Sequence, residues 1–142
     1  MTDLKNEITR MAEETVELFQ DRAGGSLDFS EESLQAVEEL LDDVSDYYPD
    51  FSSEQAQRIV RLFGCYILEV AQRAFGGQYF WYDERDQPVL VVGEPDYRIA
   101  IIAWDKVHER LSGDPANNIP FFYAGFAERV RSASPGARAL YV

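Results

Sequence analysis

The stretch RIVRLFGCYILEVAQRAFGG, residues 58–77, constrains the fold more than any other part of the chain. Ala56, Ile59, Val60, Phe63, Tyr66, Ile67 and Val70 fall on one helical face, and Leu62, Cys65 and Leu68 widen that face over most of the circumference. A helix apolar nearly all round belongs in the middle of a domain rather than on its surface. Ser52 is placed to cap its start, with Gln55 at the capping-box position, and Gly76-Gly77 stops it. The period then changes from helical to extended, so helices must pack on strands.

The segments QYFWYD, PVLVV and YRIAIIAW are β-branched and aromatic, and ERDQ and GEPD punctuate them as turns. They predict strands at 78–83, 88–92 and 97–104. Upstream, Leu4, Ile8, Met11, Thr15 and Leu18 predict an amphipathic helix over residues 3–22, ended by Gly24-Gly25. A second helix is expected after Ser30, with Phe29 and Leu34 at the spacing of a hydrophobic staple. Its apolar stripe is Leu34, Val37, Leu40, Leu41 and Val44, and Pro49 bars its continuation. Downstream, Asp105 stands where it would cap a short helix over 106–111, DPANNIP reads as a loop, and Phe121 to Ser132 as a last helix. The expected fold is a single α+β domain over residues 1–142: N-terminal helices packed on a three-stranded antiparallel β-meander, with C-terminal helices closing the core. A chain of this length buries most of such a core.

Charge narrows the partners. Residues 1–57 hold 16 acidic side chains against Lys5, Arg10 and Arg22, and residues 58–142 balance, so the whole excess of −13 sits in the first two-fifths. Such a region repels a phosphate backbone, which speaks against nucleic acid and for a basic protein partner. No apolar run approaches the ~18–20 residues that cross a bilayer. The opening MTDLKNEITRMAEE lacks the basic start and apolar block of a signal peptide, and one cysteine excludes a disulfide within these residues. A reducing cytoplasm is expected.

Few residues carry catalytic chemistry. His108 is the only histidine, and no nucleophile motif accompanies it; Cys65 sits mid-helix among apolar neighbours, where a thiol is ordinarily an inert filler. DDVSDYYPD is rich in carboxylates, but a calcium loop counted from Asp43 would put Tyr47 and Tyr48 where an oxygen ligand and glycine are needed. Neither phosphate-binding glycine motif is present. No metal, cofactor or catalytic residue is therefore assigned.

Two sites remain. Glu69, among Tyr66, Ile67, Leu68 and Val70, has Arg73 at i+4, so an ion pair at the edge of the core is one expectation. The other is a carboxylate lining a cleft against the sheet with Trp81 as a wall, which would make the chain a small-molecule binder or an enzyme. The second site is the acidic face of the second helix. Glu38, Glu39, Asp42, Asp43 and Asp46 lie opposite the apolar stripe as like-charge neighbours at i+3 and i+4, each such pair costing roughly 0.2–0.5 kcal/mol. The aspartates also crowd the end where the helix dipole disfavours them. Either Arg58 and Arg61, or Arg129 and Arg131, neutralise them within the fold, or the face docks a basic partner.

LDFSEESLQAVEELLDD, GCYILEVAQRAFGG and KVHERLSGD…FFYAGF together resemble a loosely defined set of small, acidic, largely uncharacterised bacterial proteins. In these a Leu-Asp-x-Ser-x-Glu-Ser-Leu helix precedes a Gly-x-Tyr-x-x-Glu-Val helix and a short sheet. The resemblance spans about residues 27–130 and implies an immunity-type protein that neutralises a toxin, often a cationic one. A non-enzymatic cytoplasmic binding protein is thus the leading expectation, and a homo-oligomeric accessory protein a third.

Overall fold

The computed structural model describes residues 4–142. Asp3, the first residue of the expected opening helix, lies outside the described residues. Five helices and four strands follow in the order α1 (Leu4–Phe19), α2 (Leu34–Ser45), α3 (Ser53–Phe75), β1 (Gln78–Tyr82), β2 (Gln87–Val92), β3 (Arg98–Ile101), α4 (Trp104–Leu111), α5 (Ile119–Arg131) and β4 (Arg138–Tyr141). Among the described residues no helix is long and apolar enough to cross a membrane.

The central helix is the one the sequence predicts. Ser52 Oγ accepts from Gln55 N at 3.1 Å while Gln55 Oε1 accepts from Ser52 N at 2.9 Å, closing the capping box. Every side chain from Leu62 to Ala71 is buried, because α1, α4 and the sheet surround that stretch. Thr15 Oγ1 donates to Leu62 O at 2.7 Å and so fastens α1 to α3. α1 ends three residues earlier than expected, and the Gln20 side chain bonds both N and O of Leu27 at 2.8 and 2.9 Å to clamp the turn that follows. The second helix opens with a 3-10 turn over Glu31–Ser33, capped by Ser30. The Phe29 ring stacks on Tyr66 at 5.0 Å.

The sheet departs from the expected three-stranded antiparallel meander. β1, β2 and β3 do pair antiparallel, but β4 adds beside β3 in parallel, with Arg98 opposite Arg138 and Ile101 opposite Tyr141. The result is a mixed sheet in the order β1-β2-β3-β4. ARALYV follows the turn-like SPG and is only half-buried in alternation, so it lacks the apolar weight that marks the other strands. A parallel neighbour also needs a long crossover, here supplied by α4 and α5.

β3 is shorter than expected because Gln87 claims the backbone beyond it. Its Oε1 accepts from Trp104 N at 3.0 Å and from Asp105 N at 3.3 Å, which starts α4 at Trp104. Asp105, expected as the cap, instead pairs with Arg85 at 2.7 Å. α5 begins at Ile119, with Asn118 Oδ1 accepting from Phe121 N at 2.9 Å. The helices pack on one face of the sheet, over Leu90, Val92, Ile99 and Ile101, and Val89, Val91, Ala100 and Ile102 form a second, smaller cluster on the other face.

Candidate functional site

The acidic face of α2 divides in two. Glu38 is buried and serves three elements: its Oε2 accepts from Arg110 Nε at 2.7 Å and its Oε1 from Ile119 N at 3.0 Å. Arg110 also donates to Asp42 Oδ1 at 2.8 Å and is itself only 3 % exposed. Burial works against its charge, but the hydrogen bonds it donates to Asp42 and Glu38 outweigh that and raise its pKa. Glu38 is thus an interior group and not part of an outward face. The cation that meets it is Arg110, not Arg58, Arg61, Arg129 or Arg131. Arg58 pairs with Glu14, Arg61 lies over the Trp104 ring, and Arg131 pairs with Glu31.

The signal for Arg110 was its spacing. It stands three residues after Val107 on the buried face of α4, beside Leu111. An arginine at an apolar position of a helix calls for buried acids, and Glu38 was the acid nearest the apolar stripe of its own helix.

Glu39, Asp43 and Asp46 form the other half. All three are exposed, and no cation pairs with them among the described residues. Glu39 and Asp43 line a polar cavity of about 280 Å³ with Glu32, Gln35 and Arg22. Beside Asp43 and Asp46, at the end of the helix, Tyr47 stands 65 % exposed. Tyrosine is among the residue types enriched at interaction hot spots, and the carboxylates around it supply a negative field rather than buried contact.

Glu69 is 3 % exposed. It accepts from Thr9 Oγ1 at 3.2–3.3 Å, from Tyr79 Oη at 3.0 Å, and from Arg73 Nε at 3.5 Å. The partners come from α1, β1 and α3, so this carboxylate ties three elements together. Burial and the adjoining Glu69 charge both raise the Tyr79 pKa and keep the phenol protonated as a donor. Arg73 is anchored over the Phe29 ring, 3.8 Å from its centre, and makes only a long contact with Glu69. The expected Glu69–Arg73 ion pair is thus present, with Arg73 half-exposed, but the carboxylate itself is buried and is shared with Thr9 and Tyr79 as a hub.

Trp81 lines a different space. Between α1, α3 and the sheet lies a cleft of about 290 Å³ whose walls include Trp81, Trp104, Met11 and Cys65. The two indoles meet edge to face at 6.0 Å and 80°. Trp104 presses on Gly64, where a Cβ would lie 2.3 Å from its Cδ1. Its buried Nε1 finds no oxygen or nitrogen acceptor among the described residues and lies beside the Cys65 thiol, a weak acceptor. Burial pushes that thiol up to about 12, so it is not a nucleophile at neutral pH. His108 accepts or donates at Nδ1 to Tyr48 Oη, 2.7 Å away, on the exposed side of α4.

Comparison with models of known protein families, with curated proteins and with solved structures finds no match to this chain.

Proposed function

We propose that the chain is a non-enzymatic binding protein that docks a basic protein partner on the exposed flank of α2, through Glu39, Asp43, Asp46 and Tyr47. One observation carries this: three neighbouring carboxylates that the fold leaves without a cation, set beside an exposed tyrosine. Glu38 and Asp42 show that the chain does supply an arginine where acids on this helix serve the fold. The remaining three form no ion pair among the described residues; Glu39 accepts only from Gln35 Nε2 at 3.3 Å on its own helix. A steering field of this kind accelerates encounter with a cationic surface and weakens with salt. The resemblance to toxin-neutralising proteins favours an immunity-type inhibitor of a basic toxin domain, and a cytoplasmic location accords with the single, reduced cysteine.

The test is backbone NMR titration with a Lys/Arg-rich helical peptide, compared between the parent and the triple variant Glu39→Gln, Asp43→Asn, Asp46→Asn. Shifts concentrated on residues 39–47 in the parent and lost in the triple variant support the surface. Shifts spread over α1 and residues 50–54, and unchanged by the triple variant, refute it.

A further inference from the structure

Arg61 and Glu7 both line the Trp81–Trp104 cleft and are both exposed, yet they pair neither with each other nor with any other charge among the described residues. Arg61 is held by the Trp104 ring alone, its guanidinium carbon 5.4 Å from the ring centre. One cation and one anion therefore stand free at the mouth of one aromatic-walled space. Below them the lining is apolar: Ile8 and Cys65 are buried, and Met11 and Pro88 complete the floor.

We infer that this cleft binds a small zwitterion with an apolar body, namely a free α-amino acid with an aromatic or branched side chain. The ligand carboxylate meets Arg61 and its ammonium meets Glu7, while the side chain lies in the cleft against Met11 and Pro88, with the paired indoles as one wall. Its volume is at the small end of ligand sites, which excludes nucleotides and long acyl chains. Planar rings gain from edge-to-face contact with Trp81 and Trp104, and a guanidinium already stacked on an indole is preorganised for a carboxylate. The site is separate from the acidic flank of α2, so it stands or falls independently of the docking surface.

Trp81 and Trp104 are the only two tryptophans in the chain, so tryptophan fluorescence reports on this cleft; Trp104 also borders a cavity beside Tyr48 and His108, which the Arg61 and Glu7 variants leave untouched. The experiment titrates L-phenylalanine and L-leucine, with 3-phenylpropionate and phenethylamine as single-charge controls, into the parent, Arg61→Gln and Glu7→Gln. Both substituted positions are exposed, so the fold survives, as circular dichroism would verify. Saturable fluorescence change with an amino acid is expected, weakened about tenfold or more by either substitution, one lost charge contact being worth about that factor. The single-charge controls should bind at least about tenfold more weakly. No saturable change with either amino acid, up to roughly millimolar concentrations, overturns the inference. So does equal binding of 3-phenylpropionate with no effect of Glu7→Gln, which would mark a plain carboxylate site.

Discussion

Arg110 Nε lies 2.7 Å from Glu38 Oε2 across 72 positions of sequence, and both side chains are buried. The pair joins the end of α4 to the middle of α2, and through the Ile119 amide to the start of α5. Removing one partner leaves the other as an uncompensated interior charge, whereas removing both leaves none.

Arg110→Ala should therefore cost about 3–5 kcal/mol in urea denaturation. The double variant Arg110→Met, Glu38→Leu should recover most of the loss, short of the Ile119 amide, which then lacks its acceptor. Equal loss in the single and double variants would mean that the site is held by packing and not by charge.

Asp42 and the free acids should separate by sign. Asp42→Asn weakens an arginine contact and should lower stability slightly, Asp42 being exposed on its own side. Glu39→Gln with Asp43→Asn and Asp46→Asn removes like-charge neighbours and should leave the isolated protein unchanged or more stable by up to about 1 kcal/mol. A fall in stability in the triple variant would show that those acids do meet cations within the fold.

Glu69→Gln places an amide N–H₂ among the donors Thr9, Tyr79 and Arg73. Leaving buried donors without an acceptor costs about 1–3 kcal/mol, more than an exposed ion pair contributes. A thermal or chemical melt that moves by less than about 0.5 kcal/mol would place Glu69 at a solvated edge after all.

Gly64→Ala sets two effects against each other. Alanine improves helix propensity by about 1 kcal/mol, but its Cβ would meet Trp104 Cδ1 at 2.3 Å. Overpacking costs about 1–3 kcal/mol, and a contact this short on a rigid ring belongs at the upper end. Net destabilisation with an altered fluorescence spectrum is expected, and an unchanged melt would show that α4 gives way freely.

Alkaline pH should destabilise the fold. Burial raises the phenols of Tyr66, Tyr79 and Tyr123 above their ordinary 10.0, and the Cys65 thiol from 9.0 to about 12. The unfolded chain therefore releases protons that the folded chain keeps. Stability is fully present below about pH 9 and falls as pH rises through the unfolded values. Tyr79→Phe should make that decline shallower, and in the native state a thiol reagent at neutral pH should leave Cys65 unlabelled until the protein unfolds.

Elements with strong local signals were legible. The apolar girth of α3, its Ser52–Gln55 box and the aromatic β1 follow from near neighbours in sequence. What lay hidden depends on distant contacts. β4 is short and half-exposed, and only β3 makes it a strand. Gln87 caps α4 from another element, so Asp105 was the better local candidate for a part it does not take. At the acidic face, spacing showed five carboxylates on one side of a helix. Dividing them needed the cation, which lies on α4, 72 positions beyond Glu38 and outside the reach of spacing within α2 alone.

The parallel pairing of β3 with β4 also sets an order of assembly. β1, β2 and β3 are joined by short turns and can pair as soon as they exist, but residues 102–137 must be made before β4 reaches its neighbour. Closing so long a segment costs chain entropy and slows the step. Through that interval the outer hydrogen-bonding groups of β3 stand open, with Ile99 and Ile101 on either side of Ala100, a template for pairing with another nascent chain. Docking of β4 moves the open edge from the buried, apolar β3 to a strand with alternately exposed side chains and Arg138 at its start, a charged edge that is a poorer template for a second chain.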